Sequence, residues 1–303
     1  MLAAPLVAIV DAVEQISPNF IRVVFSGPDL TVVGSTTPLY DQRIKIIFPS
    51  NDSPLPTFPE GENWYQYWAS LPEETRGVMR TYSIRELRRE ADQTTMTVDF
   101  VLHTAPGLSG PACTWASNAA VGDEVLVVAP RLDAESMGGI EFAPGDASSI
   151  VLAGDETAAP AIARILEDLA ATEQDSSAIH GTAMIEIPED ADILPINAPS
   201  AITVKWLPRN GRKHGELLME TLAIHHEEIE ASTTEDLVWE TPVFSAAGEE
   251  LASTNSRSGD YYWIAGESGV VTSIRRSLVK DKGLDRSQVA FMGYWKHGVS
   301  MRG

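Results

Sequence analysis

Hydrophobic and polar positions alternate in steps of two through most of the first half of the chain. Residues 6–13, 20–26, 43–48, 80–85, 95–102 and 124–129 are alternating or β-branched runs, separated by turns rich in Pro, Gly, Asn and Asp. Little helical period interrupts them; residues 114–120 form the one short stretch that reads as a helix. This succession predicts a small antiparallel barrel or sandwich. Gly138, Gly139, Pro144 and Gly145 then break the pattern, and the expected division is into residues 1–143 and 144–303.

Beyond residue 148 the period changes. A short apolar strand, 149–153, leads through Gly154-Asp155-Glu156-Thr157 into a helical run, 159–171. Strands follow at 182–186, 203–207, 261–265 and 289–294, and helices at 215–225 and 269–280. Strands alternating with helices predict a parallel, doubly wound α/β sheet. Residues 230–260, apart from 237–239 and 243–244, are acidic and rich in Ser and Thr, and read as a long loop with one turn of helix. The expected architecture is therefore two-domain β + α/β: an N-terminal antiparallel β-barrel, then a doubly wound parallel nucleotide-binding domain. Such a pair suits two cofactors, a flavin on the barrel and a nicotinamide nucleotide at the strand ends of the second domain.

Composition narrows the partners. The chain has 303 residues, 44% of them hydrophobic, enough for two cores. Its 22 Lys and Arg stand against 43 Asp and Glu, a net charge of -21, which argues against nucleic acid or an anionic membrane surface. An anionic ligand must then rely on local cations. The single cysteine, Cys113, excludes an intrachain disulfide framework and a cysteine-based metal site. No charged segment precedes the apolar start, and no apolar run approaches the roughly 18 residues of a membrane span, so a cytoplasmic protein without membrane insertion is expected.

Candidate chemistry concentrates in a few segments. In Arg80-Thr81-Tyr82-Ser83-Ile84-Arg85 the Arg suits a pyrophosphate, the Tyr an aromatic ring and the Ser a ring heteroatom. Strand alternation sets Arg80 and Tyr82 on one face and Ser83 on the other unless the strand bends. The plain alternative is an edge strand with solvated arginines. Gly107 and Gly110 flank a loop entering Ala112-Cys113-Thr114-Trp115, where backbone N–H groups suit phosphate oxygens, or where Thr114 simply caps a helix. His103, after the strand holding Asp99 and Val101, is either a phosphate or ribose ligand or a structural residue. The Gly154–Pro160 turn is a nucleotide site or an ordinary helix start with Thr157 as N-cap, and Asp155 and Glu156 oppose a diphosphate there unless they face ribose hydroxyls. Arg209, Arg212 and Lys213 are either receptors for a ribose 2′-phosphate or surface cations. His225 and His226, near His214, lack metal-ligand spacing, and no metal site is expected. Gly293 and Gly298 around Tyr294 and Trp295 imply close approach to something flat, or core packing. There is no GxSxG elbow, P-loop or HExxH, which removes hydrolase and kinase readings.

These motifs, in this order over nearly the whole chain, resemble the siderophore-interacting protein family, FAD-dependent ferric-siderophore reductases of the ferredoxin–NADP reductase superfamily. The resemblance rests on the Met79–Arg85, Asp99–His103, Gly110–Ala116, Gly154–Ala161, Ala265–Glu267 and Gly293–Trp295 segments. It implies that Arg80, Tyr82 and Ser83 cradle the flavin, with Ser83 and Tyr82 at the reacting ring. It implies that Asp99, Val101, His103, Ala112, Cys113, Thr114 and Trp115 hold the rest of FAD. Asp155, Thr157, Ala158, Gly266, Glu267 and Trp295 would shape the NADH or NADPH site. Arg43, Lys45, Lys296 and Arg302 are the candidates to attract an anionic ferric siderophore. Cys113, where the family commonly has a small or hydroxyl residue, and Ala159, where Leu is usual, are departures compatible with nucleotide binding. The implied activity is reduction of siderophore-bound Fe(III) for intracellular iron supply by a monomer. A general NAD(P)H–flavin reductase and a non-redox siderophore carrier are the alternatives.

Overall fold

The computed structural model describes residues 4–50, 53–102, 110–133, 138–172, 179–224, 238–241 and 259–298. The chain divides between Ile140 and Glu141 into two compact units. The first contains β1 (Leu6–Ser17), β2 (Phe20–Ser26), β3 (Arg43–Phe48), α1 (Trp64–Ser70), β4 (Val78–Ser83), β5 (Glu86–Glu90), β6 (Gln93–Val101), α2 (Pro111–Asn118) and β7 (Glu124–Val128). Its strands form one antiparallel sheet in the order β4-β3-β7-β1-β2-β6-β5. The two outermost strands are consecutive in the chain, and the step between them curls the sheet. Ile84 N donates to Gln42 O at 3.0 Å on one side, and Arg85 N to Thr97 O at 2.9 Å on the other.

Alternation sends Val23 and Phe25, Ile44 and Ile46, Val98 and Phe100, and Val125 and Val127 into one buried cluster. The expected strand at 80–85 is in fact the end of β4 and the turn into β5. β5 carries four charged residues in five (Glu86, Arg88, Arg89, Glu90), so it lacks an alternating signal; an edge strand facing solvent has no need of one. The unexpected α1 is capped by Asn63, whose Oδ1 accepts from Tyr65 N and Gln66 N, each at 3.1 Å. It buries Trp64 and Trp68, one turn apart, on Ile47, Met79, Leu126 and Val128.

The second unit contains β8 (Ser149–Gly154), α3 (Ala159–Thr172), β9 (His180–Ile187), β10 (Ile202–Pro208), α4 (Glu216–Thr221), β11 (Trp239–Glu240), β12 (Asp260–Glu267), α5 (Ser268–Arg275) and β13 (Val289–Trp295). The strand order is β10-β9-β8-β12-β13-β11. Five strands are parallel, but β11 runs antiparallel to β13, so the sheet is mixed rather than wholly parallel. That short strand lies in the segment expected to be loop. Two residues are too few to show a period, and Trp239 stacks on Tyr294 at 6.2 Å instead. α4 and α5 pack on one face with Ala153, Met184, Ile264 and Phe291. Ile150 and Leu152, out of phase with Ala153, point to the other face.

Residues 141–143, placed in the barrel by the sequence pattern, dock on the second unit. Tyr261 Oη donates to Glu141 O and accepts from Ala143 N, each at 3.1 Å. Among the described residues no helix is long and apolar enough to cross a membrane.

Candidate functional site

In the first unit β3 and β4 pair with Ile44 opposite Tyr82 and Ile46 opposite Arg80. Arg80 and Tyr82 therefore share the face of the buried cluster, while Thr81 and Ser83 share the other face with Lys45 and Arg43. β4 stays regular through Ser83, so no bend within the strand unites all three motif side chains. Tyr82 packs on Phe100 at 4.6 Å between ring centroids and edge-on to Phe48 at 6.2 Å. Burial pushes its phenol up, against a smaller opposing effect of Arg80, so the hydroxyl stays protonated.

Arg80 is the informative cation. Its Nη1 donates to the Met79 carbonyl at 2.8 Å, and among the described residues no carboxylate pairs with it. Burial pushes its guanidinium down, the sign of a charge partly desolvated without a counter-ion. On the opposite face Lys45 donates to Thr81 Oγ1 at 3.0 Å, and burial, then Arg43, push its ammonium down.

α2 opens with Gly110 as an extended cap and Pro111 in the first turn, with no side-chain cap. Thr114, a cap in the alternative reading, lies inside the helix, its hydroxyl turned back to the Gly110 carbonyl at 3.2 Å. The N–H groups of Ala112 and Cys113 have no partner among the described residues, as an anion-binding helix start requires. Trp115 is not at that opening. It stacks on Phe25 at 6.2 Å and packs on Phe48 at 5.0 Å, inside the barrel cluster. Asp99 is likewise committed to the sheet: both its oxygens take Arg22, at 2.7 and 2.8 Å, with Arg85 at 3.7 Å. Val101 ends β6 opposite Phe20. His103 lies outside the described residues, as do His225, His226 and Arg302.

In the second unit strand order reverses between β8 and β12, and ligands of such sheets bind outside the carboxyl ends at that point. Asp155 follows β8 there. Its Oδ1 accepts from Thr157 N at 2.9 Å and from the Thr157 hydroxyl, so Thr157 braces the carboxylate instead of capping α3. Its Oδ2 accepts from Glu267 N at 2.8 Å and Trp295 Nε1 at 2.9 Å, joining the ends of β8, β12 and β13. Gly266 makes the approach possible: at φ 140°, a Cβ there would stand 2.6 Å from Asp155 Oδ2. Glu267 caps α5 through Val270 N at 2.9 Å and also accepts from His297 N at 3.2 Å. Ala158 is fully buried. The close approach at Gly293 is to Ser268 and the Val238 carbonyl, so it is core packing.

Sequence reasoning missed His214. Its Nε2 lies 3.2 Å from Asp155 and 3.8 Å from Glu156, in ion-pair range without the alignment of a hydrogen bond. Burial pushes its imidazole down, but Asp155 and then Glu156 outweigh that against Arg209 and raise it to about 8. Burial pushes Asp155 up; His214, Thr157 and Trp295 together hold it well below the usual carboxylate range. Asp155, Glu156 and His214 sit close enough to share a cation, yet every one of them already has a protein partner.

Two family models match the chain: a siderophore-interacting FAD-binding domain over residues 9–134, and siderophore-interacting protein over 147–298. An uncharacterised protein of Mycobacterium tuberculosis is 32% identical over 95% of this chain and 88% of its own length. A ferric vibriobactin reductase of Vibrio cholerae is 25% identical over 94% of this chain and 87% of its own. The crystal structure of a siderophore utilization protein from T. fusca superposes with a TM-score of 0.67 at 26% identity, covering 98% of this chain and 94% of that one.

Proposed function

The chain belongs to the siderophore-interacting protein family, and from that premise we propose that it is an FAD-dependent ferric-siderophore reductase driven by NADH or NADPH. The observation that carries the reading is Arg80: a half-buried cation that no carboxylate among the described residues pairs with, on the Tyr82 face of the barrel. In a chain of net charge -21, leaving such a group unneutralised fits a site for an anion such as a pyrophosphate. The N–H groups of Ala112 and Cys113, without a partner among the described residues, are a second feature suited to phosphate oxygens. The relative named a ferric vibriobactin reductase supports the same reading.

FAD, when bound, takes a hydride from a nicotinamide and releases its two electrons singly, chemistry no side chain here supplies. Arg80 would neutralise pyrophosphate charge, and Tyr82 would offer an aromatic surface whose phenol keeps its proton. Ser83, the last residue of β4 and on its other face, would hydrogen-bond a ring heteroatom only where the flavin extends past the strand end. Asp155, Thr157, Gly266, Glu267 and Trp295 would hold the strand ends in the shape that receives the nicotinamide nucleotide. Arg43 and Lys45, with Lys296 as a further candidate, would draw in an anionic ferric siderophore. No iron ligand is required of the protein: hard oxygen donors hold Fe(III) far better than Fe(II), so reduction itself loosens the metal. The product, Fe(II), would serve iron supply in the cytoplasm.

The test is anaerobic absorption spectroscopy of the purified protein through successive additions of NADH, NADPH and a ferric siderophore, with an Fe(II) chelator present. Bleaching by a nucleotide, then recovery with Fe(II) formation, is the expected result. Bleaching with reduction of unrelated acceptors in preference to the siderophore would make it a general flavin reductase. A protein that binds ferric siderophore but takes up no FAD would make it a carrier.

A further inference from the structure

Dinucleotide sites of this strand order read the adenosine ribose near the ends of the strands beside the first: an acid accepts the free 2′-hydroxyl, or an arginine receives a 2′-phosphate. Here that region holds Glu186 near the end of β9, and Arg209, Arg212 and Lys213 just after β10. Both arginines are already engaged. Arg209 makes a two-pronged pair with Glu156, at 2.7 and 2.9 Å, and reaches Glu186 at 3.3 Å. Glu186 is fully buried and also accepts from Gly215 N at 2.7 Å and Leu218 N at 3.1 Å, so it anchors the start of α4. Withdrawing Arg209 would take from two buried carboxylates, Glu156 and Glu186, the guanidinium they share.

Arg212 is held differently. It lies on the surface and pairs with Glu216, Nε to Oε1 at 3.0 Å, and with Glu220. Exposed pairs are weak, so Arg212 is free to turn, but the same two glutamates would face any phosphate it met. Lys213 has no carboxylate pair for its ammonium among the described residues, yet its N–H binds Glu216 at 3.2 Å. Asp155, Glu156, Glu186, Glu216 and Glu220 thus outnumber Arg209, Arg212, Lys213 and a protonated His214. A dianionic phosphate would enter a place already in acidic excess.

We infer that the second unit prefers the dinucleotide with a free ribose 2′-hydroxyl, NADH, over NADPH, because Glu156, Glu186, Glu216 and Glu220 occupy the arginines that a 2′-phosphate would need. The inference rests on the proposed function, and the experiment separates the two. Calorimetric titration of the flavin-loaded protein with NAD⁺ and NADP⁺ is expected to show NAD⁺ binding at least about tenfold more tightly. The double variant E216Q/E220Q, which releases Arg212 and removes two charges, narrows that ratio severalfold. NADP⁺ binding as tightly as NAD⁺ in the unmodified protein overturns the inference, as does a ratio that E216Q/E220Q leaves unchanged. Flavin bleaching measured in parallel assigns the failure. If NADPH bleaches as well as NADH, only the preference is lost. If neither binds nor bleaches, the reductase reading falls and takes the preference with it.

Discussion

At the scale of single residues, the two faces of β4 make separable predictions. Arg80→Ala would remove the proposed charge-assisted phosphate contact and should weaken FAD binding by about 1.5–3 kcal/mol, roughly ten- to a hundredfold in Kd. Lys45 lies on the opposite face, against Thr81. Lys45→Ala should keep FAD and slow reduction of an anionic ferric siderophore. Fluorescence titration with FAD checks the first; equal affinity for both variants would remove Arg80 from the site. His214 predicts a pH dependence. Its folded value, about 8, lies above the ordinary 6.5 because Asp155 and Glu156 face it, with Arg209 in opposition and Trp295 ring-on-edge at 5.3 Å. The stabilisation is complete below pH 6.5 and disappears as pH rises through 8, on the order of 2 kcal/mol in all. Urea unfolding near pH 6 and pH 9 should show that loss, and His214→Gln should flatten it; an unchanged slope in the variant would refute the coupling. That Arg80 and Tyr82 share one strand face was legible in the sequence, because strand alternation is local. His214 was not: its partner is 59 positions away, and only the fold brings them within 3.2 Å.

At the scale of elements, a tight turn at the end of β12 holds together the strand ends of the second unit. Gly266 stands in a backbone conformation that L side chains rarely adopt, with Asp155 where its Cβ would be. Gly266→Ala should cost about 1–3 kcal/mol by strain and by displacing the carboxylate that holds Trp295 and Glu267 N. In a unit of this size that is a fall of roughly 3–10 °C in the unfolding midpoint. An unaltered midpoint would mean that the strand ends do not depend on this contact. The sequence pattern located most strands where the period of two was strong, as in β2 and β3. It failed at β5, where charge masks the period, and at α1, whose aromatic residues suit strand and helix alike until Asn63 caps them. The cap expected at Thr157 and the cap alternative at Thr114 failed for one reason. A hydroxyl beside a helix start looks like a cap, but the nearby Asp155 carboxylate and Gly110 carbonyl take those hydroxyls instead.

Across the whole molecule the charge of -21 sets a field that the local cations must overcome. Composition announced that field but not how it is distributed. Of the three arginines most suited to phosphate by position, Arg209 and Arg212 are held by glutamates, while Arg80 has no carboxylate partner among the described residues. Each anionic ligand therefore meets repulsion at long range and a cation only on contact. Screening acts unequally on the two. Raising ionic strength from about 0.01 to 0.1 M shortens the Debye length from roughly 30 to 10 Å, which erases most of the long-range repulsion while a half-buried contact such as Arg80 is screened much less. Association rates of NADH and of an anionic ferric siderophore should then rise over that range, the reverse of a protein that steers anions inward. Stopped-flow measurement at fixed pH gives the sign directly. Rates that fall steadily with salt would show that clustered cations, and not the overall charge, govern the approach.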